Sequence, residues 1–177
     1  MTHRTSSRSR RSSTVRAVRA IVMLAAVALV ALSACDQGAS DPKATRQAQV
    51  EARGATVMPF DQKKTTHVFH KTASGGVQQV VAKDPAATQQ IRLVRSHLQK
   101  EATRFAAGNF TDPMAIHGMQ MPGIATLRSG ASLVHVEYST ILRGARIVYR
   151  TTEPALVTAL HNWFDAQLMD HGSNAHS

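Results

Sequence analysis

His117-Gly118-Met119-Gln120-Met121-Pro122 places one imidazole and two thioethers within five residues. Soft sulfur ligands select Cu(I), and imidazole suits copper as well. His117, Met119 and Met121 are therefore the sharpest candidate metal ligands, and copper is the metal they fit. Gly118 lets the backbone turn around such a site. Packing is the competing use of the same residues, because methionine fills irregular gaps between a helix and a sheet. His67 and His70 lie three apart in a strand-forming stretch, so they point to opposite faces. His67 pairs better with His135, since each opens a His-Val pair at the start of a strand. These two are the supplementary candidate ligands. His97 with Glu101, and His161 with Asp165, have the i,i+4 spacing that shares a helix face. Asp170-His171 and His176 sit in what reads as a C-terminal tail.

Several chemistries lack their residues. The chain has no Gly-x-Ser-x-Gly elbow, no phosphate-cradling glycine loop ahead of a helix, and no His-Glu-x-x-His. No paired carboxylates stand out, so no catalytic residues are assigned. Cys35 is the only cysteine, which leaves no thiolate zinc site and no disulfide. It follows Leu32-Ser33-Ala34, behind six arginines in residues 1–20 and an apolar run from Ile21 to Leu32. Twelve apolar residues are too few to span a bilayer, which takes about 20 in a helix. A basic start, a short apolar stretch and a small-residue cleavage site form a secretory signal. Leu32-Ser33-Ala34-Cys35 resembles the lipobox of bacterial lipoproteins. That resemblance implies cleavage before Cys35, a diacylglycerol on its thiol, and a place at the cell membrane on the extracytoplasmic face. Asp36 resembles the residue that retains enteric lipoproteins in the inner membrane.

The formal charge of +10 is concentrated in the signal. From Cys35 onward 15 bases face 11 acids, a balance of +4. Nothing there resembles the clustered basic face of a nucleic-acid-binding protein, so the expected partners are membrane lipid through Cys35 and an envelope protein.

The positioning elements are legible as runs. Residues 35–56 are polar with little apolar periodicity and read as a flexible tether, partly helical from Ala44 to Arg53. A single domain is expected over 57–177. Thr65 to His70 and Val77 to Ala82 read as a hairpin around Ser74-Gly75-Gly76. Asp84-Pro85 reads as a helix start, and Ile91, Val94, Leu98, Ala102 and Phe105 recur at helical spacing. Gly108 suits the C-terminal cap. Short helices follow Asp112-Pro113 and Pro122. Leu133 to Tyr138 and Ala145 to Arg150 form a second hairpin, and Glu153-Pro154 opens a last helix with Leu156, Val157, Leu160, Phe164 and Leu168 as its stripe. The order repeats, with one extra residue in the second hairpin. The pattern predicts an α+β fold of two ββα units, forming a four-stranded antiparallel sheet with helices on one face.

Thr65-Thr66-His67-Val68-Phe69, Ala115-Ile116-His117-Gly118, Trp163-Phe164-Asp165-Ala166-Gln167 and Asp170-His171-Gly172 together resemble a group of small exported bacterial proteins, over roughly residues 50–173. Some of that group carry the label aspartate carbamoyltransferase. Carbamoyltransferases are larger two-domain α/β enzymes with a Ser-Thr-Arg-Thr phosphate motif, which this chain lacks; the resemblance implies export and not that activity. The expected function is a non-enzymatic, membrane-anchored binding protein for a small ligand or transition metal. The alternative is an adaptor lipoprotein that binds an envelope protein through its sheet face.

Overall fold

Alternation along the strands decides which residues reach the core. In β1 (Thr65–Thr72), Thr65, His67 and Phe69 are buried while their neighbours are more exposed. β2 (Gly75–Ala82) returns through a two-residue turn and sets Val80 against His67 and Gln78 against Phe69. The structure is a computed structural model that describes Met1 and residues 41–177. Beyond Met1, the expected signal at 1–34, Cys35 and the tether as far as residue 40 lie outside the described residues.

The α+β class is as expected, and so is the ββα order. β1 and β2 precede α2 (Thr88–Ala106), while β3 (His135–Ile141) and β4 (Gly144–Arg150) precede α5 (Pro154–His171). Two short helices, α3 (Thr111–His117) and α4 (Ile124–Ser129), join the halves. The sheet itself is five-stranded and mixed, in the order β3-β4-β2-β1-β5, rather than four-stranded and antiparallel. The two hairpins pair antiparallel through β2 and β4. The fifth strand, β5 (Ala175–His176), runs parallel to β1 with Ala175 opposite His67. Gly172, at φ +54°, makes this possible by turning the chain back along β1 after α5.

The hairpins also correct the pairing of His67 with His135. Aligned at their turns, Thr72 matches Ile141 and His67 matches Val136. A one-residue offset in a strand reverses the face, so His135 is exposed on the outer face of an edge strand, separated from β1 by β4 and β2.

α2 covers β3 and β4, and α5 covers β1 and β2, on the same side of the sheet. Between them Trp163 lies edge-on to Phe105 and Phe110, at 5.6 Å each, and to Tyr149 at 5.8 Å. Such aromatic pairs each contribute about 0.5–1.5 kcal/mol beyond burial. Asp84 does not cap α2. Its carboxylate accepts from Ala86 N in a preceding turn, and the helix begins at Thr88. Gly108 does close the helix as expected, at φ +71°. The outer sheet face carries the half-buried Val68, Val77, Val81 and Val148, with no helix over it among the described residues.

The expected tether is folded from Pro42 onward. α1 (Pro42–Val57) is capped by the Asp41 side chain and packs against α3 and α5. Its polar composition hides this, because Val50 and Gly54 are its only buried residues. Long-range side-chain bonds hold it, and Asp41–Ser177 is one compact unit.

β4 and β2 approach so closely at Gly144 that a Cβ there would strike the Val80 carbonyl oxygen. Gly144→Ala is expected to cost about 1–3 kcal/mol of stability, read as a lower urea midpoint; an unchanged midpoint would mean the strands can part there.

Candidate functional site

Four elements deliver histidines to one place. β1 turns His67 to the inner sheet face, α3 ends at His117, α5 ends at His171, and α2 carries His97 one turn before Glu101. α3 stops at His117 because Gly118 follows at φ +96°, a conformation that suits glycine. His171 is set beside His67 because β5 pins the chain to β1 immediately afterwards.

The rings of His67 and His171 stack with centroids 4.6 Å apart, and His171 meets His117 edge-on at 5.0 Å. His117 Nδ1 lies 2.8 Å from Asp170 Oδ2. Arg46 of α1 grips the same carboxylate, donating from Nε at 3.0 Å and from Nη2 at 2.7 Å. Its Nη2 also donates to the His117 carbonyl at 2.6 Å, and Arg53 Nε donates to the Ile116 carbonyl. Two arginines of α1 thus fix the end of α3. His67 Nδ1, by contrast, is buried with no hydrogen-bond partner.

A cavity of about 40 Å³ lies among His67, His97, Glu101, Asp112, His117 and His171. Outside it is a cleft of about 460 Å³ bordered by Ser96, Lys100 and Arg104. His97, Glu101 and Asp112 line both spaces, so the cleft adjoins the chamber through these three. Arg104 Nη1 donates to Glu101 at 3.0 Å and also reaches Asp112.

Burial governs the charges. It pushes His67 down to about 4, helped by His117 and His97. It takes His97 to about 4 against the pull of Asp112, and lowers His171 well below its ordinary value. These three rings are neutral near pH 7, with lone pairs available. Burial raises Glu101 to about 7, with the Asp112 charge adding and Arg104 opposing. Burial also acts to raise Asp170, but hydrogen bonds from His117 and Arg46 outweigh it and hold the carboxyl well below the usual range.

Of the residues singled out in the sequence, His67 and His117 come together. Met119 is exposed, Met121 is buried in the apolar core, and neither lines the chamber. The thioether set with His117 is therefore not assembled. The chain turns at Gly118, so alternate residues beyond it diverge. His161 is structural, its Nε2 donating to the Thr72 and Gly75 carbonyls at 3.0 and 2.9 Å. Asp170, His171 and Arg46 were hidden in apparent tail and tether. The signal for them was Asp170-His171 at the end of a long, largely buried apolar helix, where a last turn is ordered. Among the described residues, no three His, Cys, Asp or Glu side chains already stand as a ready metal-holding group. No protein-family profile, curated protein or solved structure matches the chain at a significant level. What the arrangement can do rests on its own geometry: accept an ion or small polar molecule on imidazole nitrogens, with a carboxyl that titrates near neutrality at the rim.

Asp170→Asn is expected to cost about 1.5–3 kcal/mol at pH 7. The folded carboxyl titrates below its unfolded value, so its contribution is present above about pH 4 and is lost as pH falls further. Urea titrations of both proteins at pH 7 and pH 3 check this, and a gap that is the same at both would refute it. Glu101 has the opposite sign. Its folded value of about 7 exceeds the ordinary 4.5, so the fold keeps a proton the unfolded chain has lost and stability falls as pH rises between them. Glu101→Gln should match the parent near pH 5 and exceed it by about 1–3 kcal/mol at pH 8. His67 and His97 titrate in both proteins and cancel from the difference.

Proposed function

We propose that this chain is a lipoprotein, anchored through Cys35 at the extracytoplasmic face of a bacterial cell membrane, that binds a small ligand in the histidine chamber without transforming it. The anchor reading rests on Leu32-Ser33-Ala34-Cys35 behind the arginine-rich, apolar start. Among the described residues no helix is long and apolar enough to cross a membrane, and a lipid would supply the attachment.

The binding reading is carried by one observation: His67 Nδ1 is buried, has no partner, and belongs to a ring that lines a small cavity. An unsatisfied buried polar group costs about 1–3 kcal/mol, and a ligand seated against it would remove that cost. The volume of about 40 Å³ limits the ligand to an ion or a molecule of a few heavy atoms, since each water needs about 10–15 Å³ on the same measure. The polar cleft beyond Glu101 and Asp112 is the approach. The adaptor reading stands on a different surface, the valines of the uncovered outer sheet face, and requires a protein partner that a Val77→Lys substitution would release.

Two measurements test the proposal. Cells fed labelled palmitate should label the full chain but not Cys35→Ala; an unlabelled parent would overturn the anchor. Native mass spectrometry of the full chain, solubilised from its own membranes, should show a mass above that of the lipidated polypeptide. That excess should disappear in His67→Phe, which fills the chamber. A parent with no excess mass would overturn ligand binding.

A further inference from the structure

The geometry points to the chamber's ligand being a transition-metal ion, held by the imidazoles of His67, His117 and His171, with Asp170 as the positioning residue of His117. This inference rests on the small-ligand reading above and names the ligand's class.

The first sign is that two of the three ring spacings fit, those of His171 to His67 and to His117. Imidazoles that share a tetrahedral ion at a metal–nitrogen distance of about 2.0–2.1 Å have centroids about 5 Å apart. His171 stands 4.6 Å from His67 and 5.0 Å from His117. The second sign is Asp170. A metal-ligating histidine usually gives its other ring nitrogen to a carboxylate, which fixes the tautomer and the ring's aim. His117 Nδ1 is occupied in this way, which leaves Nε2 for an ion, and Arg46 holds the carboxylate from its far side. The third sign is the orphaned His67 Nδ1, a buried nitrogen for which the fold provides no other use.

Closing the site requires one motion. His67 and His171 now lie face to face, with 7° between their planes, so their lone pairs run side by side. Turning the His171 ring out of the stack would free its lone pair to point toward the cavity that all three rings line. His171 is the last residue of α5, only partly buried, and is followed by the Gly172 turn, so the motion stays local. Three nitrogen donors with carboxylates at the rim suit Zn(II), Cu(II) or Ni(II). Met58 is the one sulfur-bearing residue of the lining, and three imidazole nitrogens against a single thioether favour these borderline ions over Cu(I), reversing the preference that Met119 and Met121 suggest in the sequence.

The test uses the full chain in detergent, stripped with a chelator and titrated with Zn(II) and Cu(II). One equivalent of ion should bind and raise the unfolding temperature. The Cu(II) form of the unmodified protein should show nitrogen hyperfine structure from imidazole in its electron paramagnetic resonance spectrum, a readout that needs no variant to fold. His67→Gln and His171→Gln should each weaken binding at least tenfold. Asp170→Asn should weaken it about 10–100-fold, and Met119→Ala and His135→Ala should leave it unchanged. Binding retained in both His67→Gln and His171→Gln, or a Cu(II) spectrum without nitrogen couplings, overturns the inference. So does a parent that binds neither ion. If that parent still carries excess mass from its own membranes, the ligand is not a metal and the small-ligand reading stands. If it carries none, both fail.

Discussion

The Asp170 carboxylate joins three helices that have little apolar surface in common. It sits on the last turn of α5, accepts from His117 at the end of α3, and is clasped by Arg46 of α1. α1 buries only Val50 and Gly54, far too little apolar area to dock a 16-residue helix on its own. Charge-assisted hydrogen bonds are the stronger class of polar contact, and here they substitute for a hydrophobic seam. The same carboxylate decides which way the His117 ring faces. Docking of the first helix and aim of the central imidazole thus depend on one side chain, and neither can be altered alone.

Around that hub the core is conventional, and its logic was largely legible in the sequence. Strand alternation, the apolar stripe from Ile91 to Phe105, Gly108 as a helix stop and Pro154 as a helix start all read directly as local rules, and the structure follows them. The failures occur where tertiary contacts override local composition. Residues 42–57 look like a tether because helix docking through arginines to distant carbonyls leaves no periodic apolar signature. β5 is two residues long and exists only because Gly172 returns the chain to β1.

The site was half legible. His67 and His117 were identifiable as candidates, yet the partners proposed for them were neighbours in sequence or in apparent repeat. Met119 and Met121 lie beyond the Gly118 turn, and His135 lies on the wrong face by one residue of register. The true neighbours, His171 and Asp170, are separated from His117 by β3, β4 and nearly all of α5. Sequence spacing cannot reveal convergence that depends on strand order, and the burial that makes these rings chemically interesting is visible only once α5 and the sheet are assembled.

The parallel pairing of β5 with β1 has a consequence for when the site comes into being. The His171 ring stands just ahead of β5, whose residues pair with a strand about a hundred residues earlier in the sequence. Contacts between such distant segments form late, because loop closure must precede them. A chain in which residues 175–176 have not yet paired with β1 therefore has a sheet and helices but no chamber. The chamber is thus the last part of this fold to be completed, and any loosening of β5 from β1 would undo it before the rest of the sheet is disturbed.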